Sequence, residues 1–271
     1  MPEGDTVWMA AQKLHEALAG RVLTLSDFRV PRLATVSLVG RTVLEVVPRG
    51  KHMLTRLDSG LTLHTHFKMD GTWRIYRPGA RWAPPAHQIR LVLANAEAVA
   101  VGYRMPVVEL VRDESTVVGH LGPDVMDEER FDADEAVRRL AADPDAELGK
   151  ALLDQRKLAG VGNLYRVETL FLEGLTPWVR TADADLRKVV DRAAALMRFN
   201  RGRWTQSTTG SLRPHETHWV FERTGQPCRA CGTRIASAMQ GERGQERLTY
   251  WCPRCQVGPA PEPLPPRRRQ V

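Results

Sequence analysis

The stretch LLDQRKLAGVGNLYRVETLFLEGLTPW, Leu152 to Trp178, decides how the chain is read. One helix ends near Lys157, tight turns run through Ala159-Gly160-Val161-Gly162, and a second helix starts at Asn163. Backbone N–H groups opened by Gly162 at a helix N-terminus form a ready site for an anion. Asn163 either caps that helix or donates its side-chain amide to a phosphate. On its own, the segment reads better as an ordinary helical hairpin with an N-cap.

The pattern on either side differs. From about Asp132 to Asn200 the periodicity is helical, through DEAVRRLAA, ELGKALLDQ, NLYRVETLFLEG and LRKVVDRAAALMRF. Before Gly122, a helix carrying Val7, Ala11, Leu14 and Leu18, with Asp5 as its N-cap and Gly20 as its stop, precedes a series of strands. These are VLTLSDFRV, TVLEVV, KHMLTRLDSGLTLHTHF, TWRIY and IRLVLANAEAVAVGY, with hairpin turns at Asp58-Ser59-Gly60 and Asn95-Ala96-Glu97. The expected architecture is an α+β multidomain chain: a β-sandwich with a leading helix over 1–122, a helical domain over 123–222, a cysteine hairpin over 223–258 and a disordered Pro/Arg tail over 259–271.

All four cysteines fall in CRACGTRIASAMQGERGQERLTYWCPRC as two Cys-x-x-Cys knuckles, Cys228 with Cys231 and Cys252 with Cys255. Two such turns complete a tetrahedral thiolate shell, so one structural zinc ion is expected, with no open coordination position for chemistry. Two disulfides are the rival arrangement, disfavoured in a reducing compartment. The chain has 42% hydrophobic residues and a formal net charge of +7, a balance that favours a polyanionic partner, nucleic acid first. There is no run of about 18 apolar residues and no signal-peptide pattern, so a cytoplasmic monomer without a membrane partner is expected. Gly160-Val161-Gly162 lacks the third glycine of a dinucleotide loop. The His215 to His218 sequence HETH is not a zincin motif, and His64 and His66, alternating on one strand face, read as hydrogen-bonded or core histidines.

The chain opens MPEGDTVW. Removal of Met1 leaves Pro2 as an N-terminal secondary amine, a nucleophile with a pKa near ~8. Pro2-Glu3-Gly4, Lys51 in PRGKHMLTRL, the helix-two-turn-helix LLDQRKLAGVGN and the finger ending ERLTYWCPRC together resemble the formamidopyrimidine glycosylase and endonuclease VIII family of base-excision repair. The resemblance covers Pro2 to Cys255. LGPDVMD and LAGVGNLYRVETLF look closer to the endonuclease VIII branch, which removes oxidised pyrimidines.

The resemblance implies a DNA glycosylase and abasic-site lyase acting on damaged DNA. Pro2 would be the nucleophile, Glu3 the general acid/base and Lys51 a residue reaching a phosphate beside the lesion. Gly162, Asn163 and Arg247, which lies five positions before Cys252, would bind DNA, and Met69 in HFKMDG would fill the gap left by an extruded base. Two departures stand out. Asp5 and Thr6 replace the last two residues of Pro-Glu-Gly-Pro-Glu, and VGYRMPVVEL lacks the Arg-Arg-Phe element of the formamidopyrimidine branch. A non-catalytic damaged-DNA binder and a zinc-ribbon RNA-binding protein are the rival readings.

Overall fold

The structure is a computed structural model that describes residues 2–82 and 85–264. It divides into two compact units, Met1–His120 and Leu121–Val271. The first opens with α1 (Gly4–Leu18), whose Val7, Ala11, Leu14 and Leu18 are all buried, as their spacing requires. Eight strands follow: β1 (Leu25–Phe28), β2 (Val43–Arg49), β3 (His52–Leu57), β4 (Thr62–His66), β5 (Thr72–Tyr76), β6 (Ile89–Ala94), β7 (Val99–Tyr103) and β8 (Val107–Val111). They form two antiparallel four-stranded sheets, ordered β1-β6-β7-β5 and β2-β3-β4-β8. Met53, Leu57 and Leu63 from one sheet and Phe28, Leu91 and Ala100 from the other meet the α1 residues in a single core. Strand β8 is absent from the sequence reading; its alternating Val108 and Leu110 pack on the core, though only partly buried. The short helix α2 (Ser115–Val118) closes the unit.

The second unit contains α3 (Ala133–Ala141), α4 (Leu148–Ala151), α5 (Asn163–Leu172) and α6 (Leu186–Phe199), then the hairpin β9 (Ala236–Gln240) and β10 (Arg247–Trp251). The helix expected to end near Lys157 is one turn long. After Ala151 the chain bends, with Leu153 N–H on Lys150 O and Lys157 N–H on Asp154 O. Gly149 is clamped close to Pro177, where a Cβ would lie 2.8 Å from the carbonyl oxygen, so this segment follows tertiary packing rather than its own periodicity. Val167 and Phe171 of α5 share a core with Val220, Cys228, Ile235, Tyr250 and Cys252, so helical domain and cysteine hairpin are one body.

The tail is partly docked, contrary to the expectation of disorder from residue 259. Thr176 Oγ1 donates to Pro259 O at 2.5 Å, and Leu264 N–H to Ser237 O at 2.7 Å. Among the described residues β9 pairs only with β10, and the open edge of such a strand offers backbone groups to an extended segment. Arg267 to Arg269 lie outside the described residues. Among those described, no helix is long and apolar enough to cross a membrane.

Candidate active site and nucleic-acid interface

In the first unit, Pro2 is half-buried and leads directly into Glu3, at the position preceding α1. Glu3 is only 1% exposed. Its carbonyl accepts Val7 N–H at 3.0 Å and so closes the first helical turn, while its side chain makes no capping bond. Asp5 is therefore not the N-cap. It lies inside the first turn, buried, and accepts the Thr6 hydroxyl at 3.4 Å, where its carboxylate complements the positive helix end.

Lys51 lies in the two-residue loop between β2 and β3, closed by the Arg49–His52 pair, rather than at a strand start. Gly50 adopts φ 55°, the left-handed geometry such a hairpin needs at its first position. Met69 sits in the loop joining β4 to β5, 53% exposed. Gly71 N–H bonds Phe67 O at 2.9 Å across that loop, and Lys68 N–H bonds His66 Nδ1 at 2.9 Å.

Behind the Lys51 turn, β3 and β4 bring His52, His64 and His66 together, and His120, which follows α2, joins them. His52 is opposite His66 in register, its ring 4.7 Å from His66, 5.0 Å from His64 and 5.9 Å from His120 between centroids. His52 Nδ1 lies 2.8 Å from His64 Nε2, and His64 Nδ1 lies 3.1 Å from Glu109 Oε2. Burial, then the neighbouring His66, His64, His120 and Lys68, pushes His52 down to about 3. Burial, then Lys68, His64 and Lys51, pushes His66 down to about 4. His64 is lowered by burial despite the opposing pull of Glu109.

Both values fall below the ordinary 6.5 of an unfolded histidine, so as pH drops from there the unfolded chain takes up protons that the folded chain refuses. Stability is thus present above pH 6.5 and lost on acidification. The urea midpoint should fall between pH 7 and pH 5, and His52→Gln should flatten that fall. An equal midpoint at both pH values would mean these imidazoles are not held neutral.

In the second unit, Gly160 carries φ 98° in the turn before α5, and a Cβ there would also press to 3.1 Å from Val125. Gly162, not Asn163, is the N-cap residue of α5, with Asn163 the first helical residue. Asn163 is 7% exposed; its Nδ2 donates to Leu248 O at 2.9 Å, and its Oδ1 accepts from Arg166 at 2.5 Å. Arg247, exposed, opens β10 opposite Gln240, one residue from the carbonyl that Asn163 holds. The structure thus brings Gly162, Asn163 and Arg247 into one neighbourhood.

Three supporting residues were missed from sequence. Gln155 staples the turn, its Oε1 accepting Gly160 N–H and its Nε2 donating to Val161 O, both at 3.0 Å. Arg166, fully buried, bonds Asn163, Thr249 Oγ1 at 2.5 Å and Gln240 Oε1 at 2.9 Å, tying α5 to both hairpin strands. Glu168, also fully buried, accepts the backbone N–H groups of Trp219, Val220 and Phe221, each at 2.8 Å, and the Thr208 hydroxyl. The available signal was two charges in an otherwise apolar helix, since buried charges require partners.

The four cysteines are unbonded to one another, with their sulfurs all within 4.8 Å. Cys228 and Cys255 sulfurs are 3.8 Å apart, and those of Cys231 and Cys252 3.5 Å. A tetrahedron of thiolates around zinc at about 2.3 Å has edges of about 3.8 Å, so the cluster fits a four-coordinate metal and not a disulfide pair.

Two family descriptions match the chain: the formamidopyrimidine-DNA glycosylase N-terminal domain over residues 1–105 and its H2TH domain over 121–198. The chain is 54% identical over 273 residues to the probable endonuclease 8 2 of Streptomyces coelicolor, covering 97% of this chain and 96% of that one. It is 46% identical over 261 residues to the DNA-(apurinic or apyrimidinic site) lyase Nei2 of Mycolicibacterium smegmatis, covering 95% and 99%. To the endonuclease 8 of Escherichia coli it is 32% identical over 271 residues, covering 94% and 100%. The formamidopyrimidine DNA glycosylase of Lactococcus lactis, solved non-covalently bound to DNA containing an abasic site, shares the fold with a TM-score of 0.77 at 22% identity, over 94% of this chain and 100% of that one.

Proposed function

The chain belongs to the formamidopyrimidine-DNA glycosylase and endonuclease VIII family, and from that premise we propose that it is a bifunctional DNA glycosylase and abasic-site lyase that removes oxidised pyrimidines. The observation that carries this reading is Pro2 leading directly into a buried Glu3 at the start of α1. With Met1 removed, the Pro2 amine lies at the positive end of a helix, which disfavours its protonated form and raises the neutral, nucleophilic fraction.

Base release forms a bond from the Pro2 nitrogen to C1′ and breaks the C1′–base bond, the departing base leaving with the bonding electrons and taking a proton. Sugar-ring opening then gives an iminium between Pro2 and C1′, with Glu3 supplying the proton to the ring oxygen. The cationic iminium acidifies C2′. Removal of a C2′ proton by Glu3 expels the 3′ phosphate, and a second elimination expels the 5′ phosphate, leaving a gap bounded by phosphates. Hydrolysis frees Pro2.

Lys51 contacts a phosphate beside the lesion, and Met69 replaces stacking lost when the damaged nucleotide is extruded. Gly162, Asn163 and Arg247 grip the backbone. One zinc ion on Cys228, Cys231, Cys252 and Cys255 fixes the Arg247 hairpin and takes no part in the chemistry. The enzyme acts as a monomer in the bacterial cytoplasm.

Borohydride reduction on an oligonucleotide with an abasic site is the direct test. The wild-type protein should yield a covalent complex joined through Pro2; none forming would refute the lyase reading. Excision should be faster on an oxidised-pyrimidine duplex than on 8-oxoguanine opposite cytosine. Arg247→Ala should weaken DNA binding and flatten the dependence of log affinity on log salt by about one unit of slope, as expected for one lost phosphate contact. An unchanged slope would remove Arg247 from the interface.

A further inference from the structure

Lys51 sits in a two-residue turn that the Arg49–His52 pair closes. A turn at the end of a ladder frays unless something beyond its own backbone fixes it. The side chain of His52, the residue after Lys51, supplies such an anchor.

Strand residues alternate between faces, so His52, His64 and Glu109 share the face opposite Met53, Leu63 and Val108, which pack in the core. A sheet face turned away from the core is normally wet, yet His64 is only 4% exposed. A buried imidazole needs partners for its ring nitrogens, and here the pairing runs in one direction. The Glu109 carboxylate, whose Oε2 lies 3.1 Å from His64 Nδ1, accepts, so Nδ1 carries the hydrogen. Burial lowers the pKa of His64 and keeps its ring neutral, which leaves Nε2 as an acceptor. That nitrogen receives His52 Nδ1–H at 2.8 Å. Register makes the chain possible: His64 stands opposite Glu109 on β8 and opposite Leu54 on β3, two residues from His52. The anchor therefore crosses three strands, from the Lys51 turn to β8. Lys51 itself is close by, since its charge helps to hold His66, the residue opposite His52, below its ordinary pKa.

We propose that Glu109 and His64, acting through His52, are positioning residues for Lys51: they set the turn so that its ammonium meets the phosphate beside the lesion. The proposal rests on the phosphate role given to Lys51 above and deepens it. It also accounts for a buried polar network that the chemistry of Pro2 and Glu3 does not use.

The test uses the full chain and a duplex carrying a tetrahydrofuran abasic-site analogue, with affinity read over a range of salt. Lys51→Ala should weaken binding about ten- to a hundred-fold and flatten the salt slope by about one unit, as one lost phosphate contact does. His64→Leu should weaken binding by about three- to tenfold with part of the same flattening, and should cost nothing further in the Lys51→Ala background, where no ammonium is left to position. His64→Gln, whose amide offers one donor and one acceptor, should recover most of the loss. Glu109 is exposed, so Glu109→Leu breaks the chain from its open end without touching the core; it should act in the same direction, and it stands in if His64→Leu does not fold. Losses that add in the double variant, or weaker binding at an unchanged salt slope, would leave the histidines a role in folding alone and overturn the proposal. Unchanged affinity in both His64→Leu and Glu109→Leu would overturn it too. If Lys51→Ala bound as the wild type does, the phosphate role of Lys51 would fall and the proposal with it; a wild type that did not bind the duplex would instead refute the DNA reading itself.

Discussion

Glu3→Gln is expected to slow release of an oxidised pyrimidine by about two orders of magnitude or more, the usual contribution of a positioned proton-transfer group. Glutamine keeps the size of the buried side chain, and the first turn of α1 is closed by the Glu3 carbonyl rather than its carboxylate, so the helix start survives. Cleavage of a pre-formed abasic site should suffer less, since that substrate already presents an aldehyde to Pro2. Pro2→Gly leaves a primary amine of different geometry and basicity, and trapping should fall sharply while DNA binding persists; acetylated Pro2 should give no trapped complex. Normal base excision by Glu3→Gln, or trapping by the acetylated protein, would displace the N-terminal mechanism in favour of a binding module.

The second large effect belongs to the cysteine cluster. Cys228→Ser should abolish binding of one zinc per chain and lower DNA affinity by about one to two orders of magnitude, the cost of losing one charge-assisted contact. The reason is the path from metal to interface. The thiolates hold the ends of the β9–β10 hairpin, Leu248 of that hairpin receives the Asn163 amide, and Arg247 stands beside it. Because Cys228 and Cys252 also pack against Val167 and Phe171, the hairpin should lose order while α3 and α6, which pack on each other, keep their helicity. Circular dichroism and metal analysis together test this; metal-free protein with undiminished affinity would contradict it.

Local pattern alone determined much of the molecule. The LRKVVDRAAALMRF helix matches α6 end to end, TWRIY matches β5, and the Asp58-Ser59-Gly60 and Asn95-Ala96-Glu97 turns lie between paired strands, because each depends on neighbours within a few residues. The two Cys-x-x-Cys knuckles are equally local, and the Pro2-Glu3-Gly4 opening is fixed by position in the chain. Tertiary structure decided the rest. Whether ELGKALLDQ continues as a helix depends on Pro177, and the tail's docking depends on the open edge at β9. Asn163 meets Leu248 across 85 positions through a hairpin register that no local window contains. Arg166 and Glu168 read as surface charges until α5 is buried on every side, when desolvation obliges each to find partners from distant segments. His52 joins His64 and His66 only because β3 pairs with β4 in one register; a slip by one residue would turn those rings to the opposite face.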